Sequence, residues 1–406
     1  MRRMDKGFAL ILAFLLVIQP LQLVRAEGEP DYGKHFTFYD EIPVMLIGEP
    51  ESGKILFEKG IHEKLPVASM SKIMTYLIVC EAVEKGEIAL SDQVTISDAA
   101  AAFNNWESSN YGLKAGMKKT VSDLLDGLMV VSGNDAAVAL AEHVSGTEAA
   151  FVQRMNDRAA ELGLTESHFI NSNGFTVDGE MNQMSAKDLF TLSAEIIRRF
   201  PEVKDFVKIR VIEEREREYV SDSTLKPFIE EIPGTLGIKT GTTDEAGYCF
   251  TGLFDLSKTN PQVDFDVVTV VMGADDLDQR WRTTKELVDF AAGSFAHRQL
   301  VDASIPVMRY DLPTSEEGSI VLYPAESFST ITYAHAIPDV RYEIYEEMKA
   351  PTPAEKNFGV IYIYQNEQPI KKIDIVAHKE TKAASLGVRA QRSMEYFFNF
   401  LVQLFQ

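Results

Sequence analysis

One serine and one lysine in this sequence have the spacing that nucleophilic catalysis requires. Ser69 and Lys72 stand at i and i+3, so on a helix their side chains share one face and the hydroxyl can meet the amine. The residues from Ile73 to Cys80 are mostly apolar, which predicts a buried helix. Burial disfavours the charged form of a lysine, and a neutral Lys72 could act as the base that activates the Ser69 hydroxyl.

A second group of polar residues lies in the tripeptide Ser132-Gly133-Asn134. Apolar periodicity predicts helices over 121–130 and 135–144, which makes the tripeptide a tight turn between two helices. From such a turn Ser132 could relay a proton to a leaving group, and Asn134 could bind a substrate amide. An ordinary capping turn, with Asn134 or the next residue as N-cap, is the alternative interpretation.

A third group ends a predicted strand at positions 236–240. Lys239 offers a cation to a substrate carboxylate, and the hydroxyls of Thr240 and Thr242 are further donors. Gly241 would let a substrate backbone lie against the strand edge. The backbone N–H groups of Ser69, near a helix N-terminus, and of Thr242 are the predicted pair of oxyanion donors.

Each of these motifs is weak by itself, because short spacings of this kind recur by chance. Ser223 and Lys226 repeat the i, i+3 spacing, but Lys226 precedes Pro227, which predicts a conformation outside a helix and a surface position. The joint occurrence of three motifs, on a helix, a turn between helices and a strand, carries the functional prediction. Together they supply a nucleophile with its base, a proton relay and a carboxylate anchor.

The elements that must position these residues alternate between strands and helices. A hairpin pattern near the start and strands after residue 235 flank a helical middle, which predicts one sheet built from both ends with helices packed on it. After residue 300 short β-rich runs predict a small all-β domain. The predicted strands are 43–47, 54–57, 236–240, 247–255, 263–273, 319–322, 328–333, 340–345, 360–364 and 370–376, and the predicted helices are 70–85, 121–130, 135–144, 148–162, 185–199 and 281–294.

The first 26 residues are typical of a secretory signal. A basic start, an apolar run from Gly7 to Ile18 and small residues before Glu27 predict cleavage and export. A retained membrane-spanning helix is less favoured, because the apolar run breaks at Gln19-Pro20.

The other end, residues 389–406, predicts an amphipathic helix. Apolar residues recur at helical spacing and polar ones share the opposite side. We expect this helix to lie in a membrane interface, with Arg389 and Arg392 near anionic headgroups, or alternatively to pack on the protein's own core. The apolar positions are Met394, Phe397, Phe398, Leu401, Leu404 and Phe405.

The net charge and the two cysteines of the chain exclude some classes of function. The chain has 406 residues, 40 Lys and Arg against 61 Asp and Glu, and a net charge of −21. Nucleic-acid binding is therefore excluded, since phosphate contacts need clustered cations. Cys80 and Cys249 fit no metal or redox spacing. They could pair in an oxidising compartment or stay as two buried thiols.

The three motifs and their surroundings resemble the low-molecular-mass penicillin-binding proteins of the serine-type D-alanyl-D-alanine carboxypeptidase family. S-x-x-K, a Ser-x-Asn turn and K-T-G in this order are the signature shared with class A β-lactamases, and Gly133 in the middle motif agrees better with the carboxypeptidases. The resemblance covers essentially the whole chain. It is carried by the segments Leu65 to Thr75, Ser132 to Glu142, Asn173 to Phe175, Met184 to Leu189 and Gly237 to Tyr248.

The resemblance implies an α+β fold. A penicillin-binding, β-lactamase-like transpeptidase domain, an antiparallel sheet with a helical subdomain, would be followed by a small all-β domain and the C-terminal amphipathic helix. The implied organisation is a signal peptide at 1–26, a catalytic domain at 27–300, a β-rich domain at 301–388 and a membrane-anchoring helix at 389–406.

The resemblance also implies an activity at the outer face of the cytoplasmic membrane or in the cell wall. Ser69 would remove the terminal D-alanine from peptidoglycan stem pentapeptides through an acyl-enzyme, with Lys72 and Ser132 moving protons. β-Lactams would acylate the same serine. No metal or organic cofactor is implied. The implied substrate-binding residues are Lys239, Asn134, Thr240, Gly241, Thr242 and Arg280. Arg280 precedes the last predicted helix of the catalytic domain.

Two other functions remain open at this point. A β-lactamase would share the acylation and add fast deacylation, although it would have no use for residues 301–406. A non-catalytic wall-binding protein would not need Ser69, Lys72, Ser132 and Lys239 together. The sequence leaves open the growth stage, the stem-peptide preference, the deacylation rate and the oligomeric state.

Overall fold

Strands from both ends of the first 274 residues meet in one sheet, as the sequence predicts. The computed structural model describes residues 32–105, 108–345, 348–365 and 367–404, so the predicted signal segment 1–26 lies outside the described residues. The strands are β1 (Val44–Glu49), β2 (Lys54–Lys59), β3 (Leu65–Pro66), β4 (Gln93–Thr95), β5 (Lys118–Thr120), β6 (Gln183–Met184), β7 (Val211–Glu214), β8 (Tyr219–Asp222), β9 (Thr235–Thr243), β10 (Gly247–Asp255), β11 (Asp266–Ala274), β12 (Phe295–Val301), β13 (Met308–Asp311), β14 (Ser319–Pro324), β15 (Phe328–Tyr333), β16 (Asp339–Ile344), β17 (Asn357–Gln365) and β18 (Gln368–Val376).

Helices fill the stretch between the two strand groups and flank the sheet. The α-helices are α1 (Lys72–Glu84), α2 (Asp98–Ala101), α3 (Val121–Met129), α4 (Asn134–Ser145), α5 (Glu148–Glu161), α6 (Ala186–Arg199), α7 (Lys226–Glu231), α8 (Leu277–Ser294) and α9 (Leu386–Leu404). Short 3-10 helices cover Tyr32–Lys34, Ala68–Ser71, Pro201–Lys208, Arg215–Arg217 and Leu256–Lys258.

The main sheet has five antiparallel strands in the order β2-β1-β11-β10-β9. Both of its faces are buried, which is why β1 is buried at every position and reads as a continuous apolar run. Val44 and Leu46 pack into the core formed with α1 and α3 to α6, whereas Met45 and Ile47 pack into the core formed with α7 and α8. The two layers hold β9 at an open edge of the sheet.

A second antiparallel sheet, in the order β13-β14-β18-β17-β16, follows the main sheet in the chain. It has its own apolar core, which includes Leu322, Ile361 and Ile373. The unpredicted strand β12 continues from α8 and pairs with β15, so the pairing joins the two regions on either side of residue 300. The fold is thus the expected α+β type, and the domain boundaries at 300 and 388 stay predictions.

The C-terminal helix α9 leaves apolar side chains uncovered. Met394, Phe397 and Phe398 are 59%, 59% and 62% exposed, which disfavours packing of these three residues on the protein's own core. Leu401, Leu404 and Phe405 lie outside the described side chains. Among the helices that the structure describes, none combines the length and the apolar character that crossing a membrane requires.

The two arginines near the start of α9 bind backbone carbonyls. Arg392 donates to the carbonyls of Ser315 and Glu316 at 2.5 and 2.9 Å, and Arg389 donates to that of Ala384 at 2.9 Å. The placement of both arginines near anionic headgroups stays a prediction, and in the structure each guanidinium also has a hydrogen-bond acceptor within the protein. The Arg392 bonds tie α9 to the loop between β13 and β14, whereas the Arg389 bond stays next to the start of the helix.

One local expectation is also wrong. Lys226 begins α7 although it precedes Pro227, because a proline in the first turn of a helix costs no intrahelical hydrogen bond. Its amine pairs with Asp222 at 2.9 Å, so the spacing to Ser223 brings together no serine–lysine pair.

Candidate active site

The candidate nucleophile lies on a tight turn that precedes α1. Ser69 belongs to the 3-10 helix Ala68–Ser71, and Lys72 is the first residue of α1. Ala68 has the left-handed φ of +44°, a strained conformation for a residue with a Cβ. The Ser71 hydroxyl donates to the Ala68 carbonyl at 2.8 Å, and Gly174 packs so closely that a Cβ there would lie 1.9 Å from the same oxygen.

Lys72 is fully buried, and its amine touches three oxygen atoms. Nζ lies 2.8 Å from Oγ of Ser69, 2.6 Å from Oδ1 of Asn134 and 2.7 Å from the carbonyl oxygen of Asn173. Burial holds the pKa of the Lys72 amine well below its usual value, the positive charge of Lys239 lowers it further, and Asp135 opposes the shift. Burial and the charge of Lys239 thus both disfavour the ammonium form relative to a lysine in water.

The geometry of these contacts fixes the direction of the hydrogen bonds of a neutral amine. Such an amine has two N–H donors and one lone pair. The oxygens of Asn134 and Asn173 are carbonyl oxygens, which only accept, so they take both donors. In that neutral form the lone pair would face the Ser69 oxygen, which lies 2.8 Å from Nζ, and the hydroxyl would donate its proton to it. This arrangement can deprotonate the hydroxyl when it attacks a carbonyl carbon.

A buried asparagine network positions the carbonyl of Asn173. The side chain of Asn171 accepts from the Gly174 N–H at 2.7 Å and donates to the Phe175 carbonyl at 2.7 Å. The Thr75 hydroxyl donates to the neighbouring Ser172 carbonyl at 2.5 Å, which ties this loop to α1. This contribution could not be predicted from residue types, because every residue has a main-chain carbonyl. The Asn-x-Asn-Gly pattern is the signal in the sequence that could have indicated it.

The second motif connects α3 to α4 and contacts Lys72 through Asn134. Ser132 is buried and has a left-handed φ of +63°, and Asn134 is the first residue of α4, with its N–H bound to the Ser109 carbonyl at 2.9 Å. The alternative of an Asn134 or Asp135 N-cap is wrong, since Gly133 occupies that position without a side-chain cap. The structure thus brings Asn134 to Lys72 as an acceptor.

Asp135 holds this turn in place through three hydrogen bonds. Its buried carboxylate accepts from the N–H groups of Tyr111, Leu113 and Ala136 at 2.8, 2.9 and 2.9 Å. Burial raises the pKa of Asp135, although these three bonds and the charge of Lys72 oppose the rise. The residue fixes the start of α4 against the loop before it.

The third motif lies on β9 at the sheet edge. Lys239 is fully buried, and its amine donates to the Thr240 carbonyl at 3.2 Å. Burial and then the charge of Arg280 lower the pKa of Lys239 to about 7. A Cβ on Gly241 would lie 2.7 Å from the carbonyl oxygen of Val67 and 3.3 Å from the nitrogen of Met70. The strand therefore packs directly on the turn that carries Ser69.

Arg280 reaches the same strand from α8. Its guanidinium is buried and donates to the Thr242 hydroxyl at 3.4 Å and the Cys249 carbonyl at 3.5 Å. Nε of Arg280 is buried and has no hydrogen-bond partner among the described residues. Burial lowers the pKa of Arg280 to about 10. The neighbouring Arg282 instead pairs with Asp278 at 2.8 Å, so only Arg280 is directed to β9.

The remaining predicted residues are also located. Thr240 is buried and Thr242 is exposed on β9. Cys80 and Cys249 are both free and buried, and burial raises their thiol pKa values to about 12 and about 11.

Comparison with known proteins gives one consistent result. A family model described as D-alanyl-D-alanine carboxypeptidase matches residues 43–276. The D-alanyl-D-alanine carboxypeptidase DacF of Bacillus subtilis (strain 168) is 30% identical over 95% of this chain and 96% of its own length.

Solved structures agree. Penicillin binding protein 5 from Haemophilus influenzae has a TM-score of 0.66 at 25% identity, over 84% of this chain and 97% of that one. Penicillin-Binding Protein D2 from Listeria monocytogenes, in a cefotaxime-bound form, has a TM-score of 0.53 at 29% identity, over 61% of this chain and 97% of that one. The chain therefore belongs to the D-alanyl-D-alanine carboxypeptidase family of serine peptidases.

Proposed function

We propose that this enzyme removes the terminal D-alanine from peptidoglycan stem pentapeptides through an acyl-enzyme on Ser69. The observation that carries the proposal is the buried Lys72 amine, whose nitrogen lies 2.8 Å from Oγ of Ser69 and 2.6 and 2.7 Å from the carbonyl oxygens of Asn134 and Asn173. The family acts on peptides ending in D-alanyl-D-alanine, and this site offers a base, a nucleophile and a nearby cation for the terminal carboxylate.

In the acylation step the Ser69 oxygen attacks the carbonyl of the penultimate D-alanine as Lys72 takes the hydroxyl proton. The N–H groups of Ser69 and Thr242 are the proposed donors to the developing oxyanion. Ser132 passes the proton to the departing D-alanine amine. Water then hydrolyses the Ser69 ester, with Lys72 as the base again.

Lys239 anchors the substrate carboxylate in this proposal. With a pKa of about 7, its amine is partly neutral in the empty site at neutral pH. An arriving carboxylate favours the charged form and so protonates Lys239 as it binds. Arg280, whose guanidinium lies 3.4 Å from the Thr242 hydroxyl, adds a second positive charge near the same carboxylate, and Thr240 and Gly241 line the strand edge along which the peptide lies.

β-Lactams are proposed as covalent inhibitors at Ser69. The relative from Listeria monocytogenes is described in a cefotaxime-bound form, which supports the same chemistry here. A β-lactamase is the competing function, and nitrocefin distinguishes the two. We expect a stoichiometric burst followed by a stable adduct, whereas sustained turnover would favour the β-lactamase.

Release of D-alanine from a D-Ala-D-Ala-terminated peptide tests the proposed reaction. The Ser69→Ala variant should lose release while keeping its unfolding temperature, because the side chain is small and only partly buried. Ser223→Ala is the matched control, since that serine has the same spacing to a lysine that instead pairs with Asp222. Release that persists in Ser69→Ala would contradict the proposal, as would a control that lost activity together with it.

For location we propose export through a cleaved segment at 1–26 and attachment to the outer face of the cytoplasmic membrane by α9. In this arrangement the predicted catalytic domain at 27–300 is separated from the membrane by the predicted β-rich domain at 301–388. The exposure of Met394, Phe397 and Phe398 supports attachment to a lipid surface.

Sedimentation with vesicles of phosphatidylglycerol tests this attachment. The double variant Phe397→Asp/Phe398→Asp should stay in the supernatant, because it places two charges on the apolar face. Ile337→Asp, which changes a residue that is 77% exposed in a loop, should sediment like the original chain. Equal sedimentation of all three proteins would contradict the proposed anchor.

A further inference from the structure

The outer edge of the second sheet combines free backbone groups with exposed apolar side chains. β16 is the last strand of that sheet and pairs with β17 alone among the described strands. Val340 and Tyr342 are 40% and 63% exposed. An uncovered edge of this kind is a template for pairing with another strand.

The inner hydrogen bonds show which residues of β16 face outward. The N–H of Tyr345, just after the strand, donates to the Phe358 carbonyl at 2.9 Å. Backbone groups of an antiparallel strand alternate between its two sides, so odd-numbered residues bond to β17. Val340, Tyr342 and Ile344 therefore direct their N–H and C=O groups away from the sheet.

The same three residues place their side chains on the core side of the sheet. Val340 and Tyr342 stand opposite Ile363 and Ile361, which are buried in the core of this sheet. Side chains of directly opposed residues share one face. Val340 and Tyr342 thus continue the apolar face of that core, and in the described part of the chain no residues cover them.

We propose that β16 pairs with β16 of a second copy of this chain, antiparallel and centred on Tyr342. Three pairs of outward residues would then exchange backbone hydrogen bonds: Tyr342 with Tyr342, and Val340 with Ile344 in both directions. The result is one continuous sheet across the dimer, with the exposed apolar side chains of both copies in contact.

The charges on the other face of the strand select this register. With Tyr342 at the centre, Arg341 of each copy stands opposite Glu343 of the other. Moving the centre to residue 341 or 343 opposes two arginines or two glutamates. A centre at Val340 would oppose Arg341 and Asp339, but it places Pro338, which has no N–H, opposite Tyr342.

Complementary charge reversals test the register. Arg341→Glu and Glu343→Arg should each weaken self-association about tenfold or more, because two opposed pairs become like charges. Mixing the two variants in equal amounts should restore association, since every opposed pair in the mixed dimer is again Arg with Glu. Arg309→Glu, on strand β13 at the other edge of the same sheet, is the matched control.

Sedimentation velocity of the purified full chain at about 100 µM suits an interface of the size of one strand pair. The expected result is a dimer for the original chain and for Arg309→Glu, monomers for each single variant and a dimer for the mixture. A monomeric original chain, association that persists in Glu343→Arg, or a mixture that stays monomeric would each overturn the proposal.

Discussion

Replacing Asn134 by aspartate perturbs the base while keeping the shape of the site. Oδ1 of Asn134 lies 2.6 Å from Nζ of Lys72, and Asn134→Asp converts this neutral acceptor into a carboxylate of the same size. A negative charge at that distance favours the ammonium form of Lys72. In the ammonium form the Lys72 nitrogen already carries a third proton and cannot accept the proton of Ser69.

The size of the effect follows from the distance. Two unit charges about 2.6 Å apart attract by about 6 kcal/mol at an effective dielectric constant of about 20. Burying the new carboxylate costs roughly half of this gain. The remainder moves the acidic limb of the acylation rate upward by about two pH units, which corresponds to a rate about a hundredfold lower at any pH below the limb of the original chain.

Acylation by a fluorescent penicillin, measured as a second-order rate constant from about pH 5 to about pH 10, checks this prediction. The variant should regain activity as the pH rises. Asn134→Ala, which removes the acceptor without adding charge, should lose activity without the upward move of the limb. An acidic limb at the same pH in Asn134→Asp and the original chain would refute Lys72 as the titrating base.

Three further predictions concern the groups around this base. The kcat/KM for peptides with a free carboxylate should fall as the pH rises through about 7, because Lys239 loses its charge there. Lys239→Arg should remove this decline, because an arginine keeps its charge. Gly241→Ala should slow penicillin acylation by about tenfold or more, since the added Cβ would lie 2.7 Å from the carbonyl oxygen of Val67, next to the serine turn. Gly293→Ala is the control, because its added Cβ meets no atom within 4 Å. Equal acylation rates in the two variants would contradict the close packing of β9 on the serine turn. Asp135→Asn should lower the free energy of unfolding, measured by urea titration, by about 1–3 kcal/mol, because an amide cannot accept from all three N–H groups. Unchanged stability would contradict the role of Asp135 in holding the turn. The same variant should move the acidic limb of the acylation rate to lower pH, because it removes the negative charge that favours protonated Lys72.

Periodicity predicted the framework of the fold because burial dictates residue type there. The run after Lys72 is apolar on all sides, and α1 is indeed buried from Lys72 to Ala82. The hairpin and the strands after residue 235 form one sheet as expected. Strand β12 was missed because its polar and apolar residues follow a helix without a turn signal.

The candidate site was predictable in its side chains and not in its backbone. Ser69, Lys72, Asn134 and Lys239 were selected by type and spacing. The structure brings the first three together at the Lys72 amine, and it places Lys239 close enough for its charge to lower the pKa of Lys72. The strained turn at Ala68 and the carbonyl of Asn173 depend on packing against a distant loop, which local sequence does not encode. The low pKa of Lys239 likewise depends on burial and on Arg280, from another helix.

The central claim is that the Lys72 amine is neutral and accepts the Ser69 proton. An NMR titration of the enzyme with ¹³C at the lysine Cε positions tests it directly, with the Lys72 resonance assigned by its loss in Lys72→Arg. If Lys72 is the base, its resonance titrates at a pH well below that of the surface lysines. Titration together with the surface lysines would exclude Lys72 as the base, because a protonated amine has no lone pair for the hydroxyl.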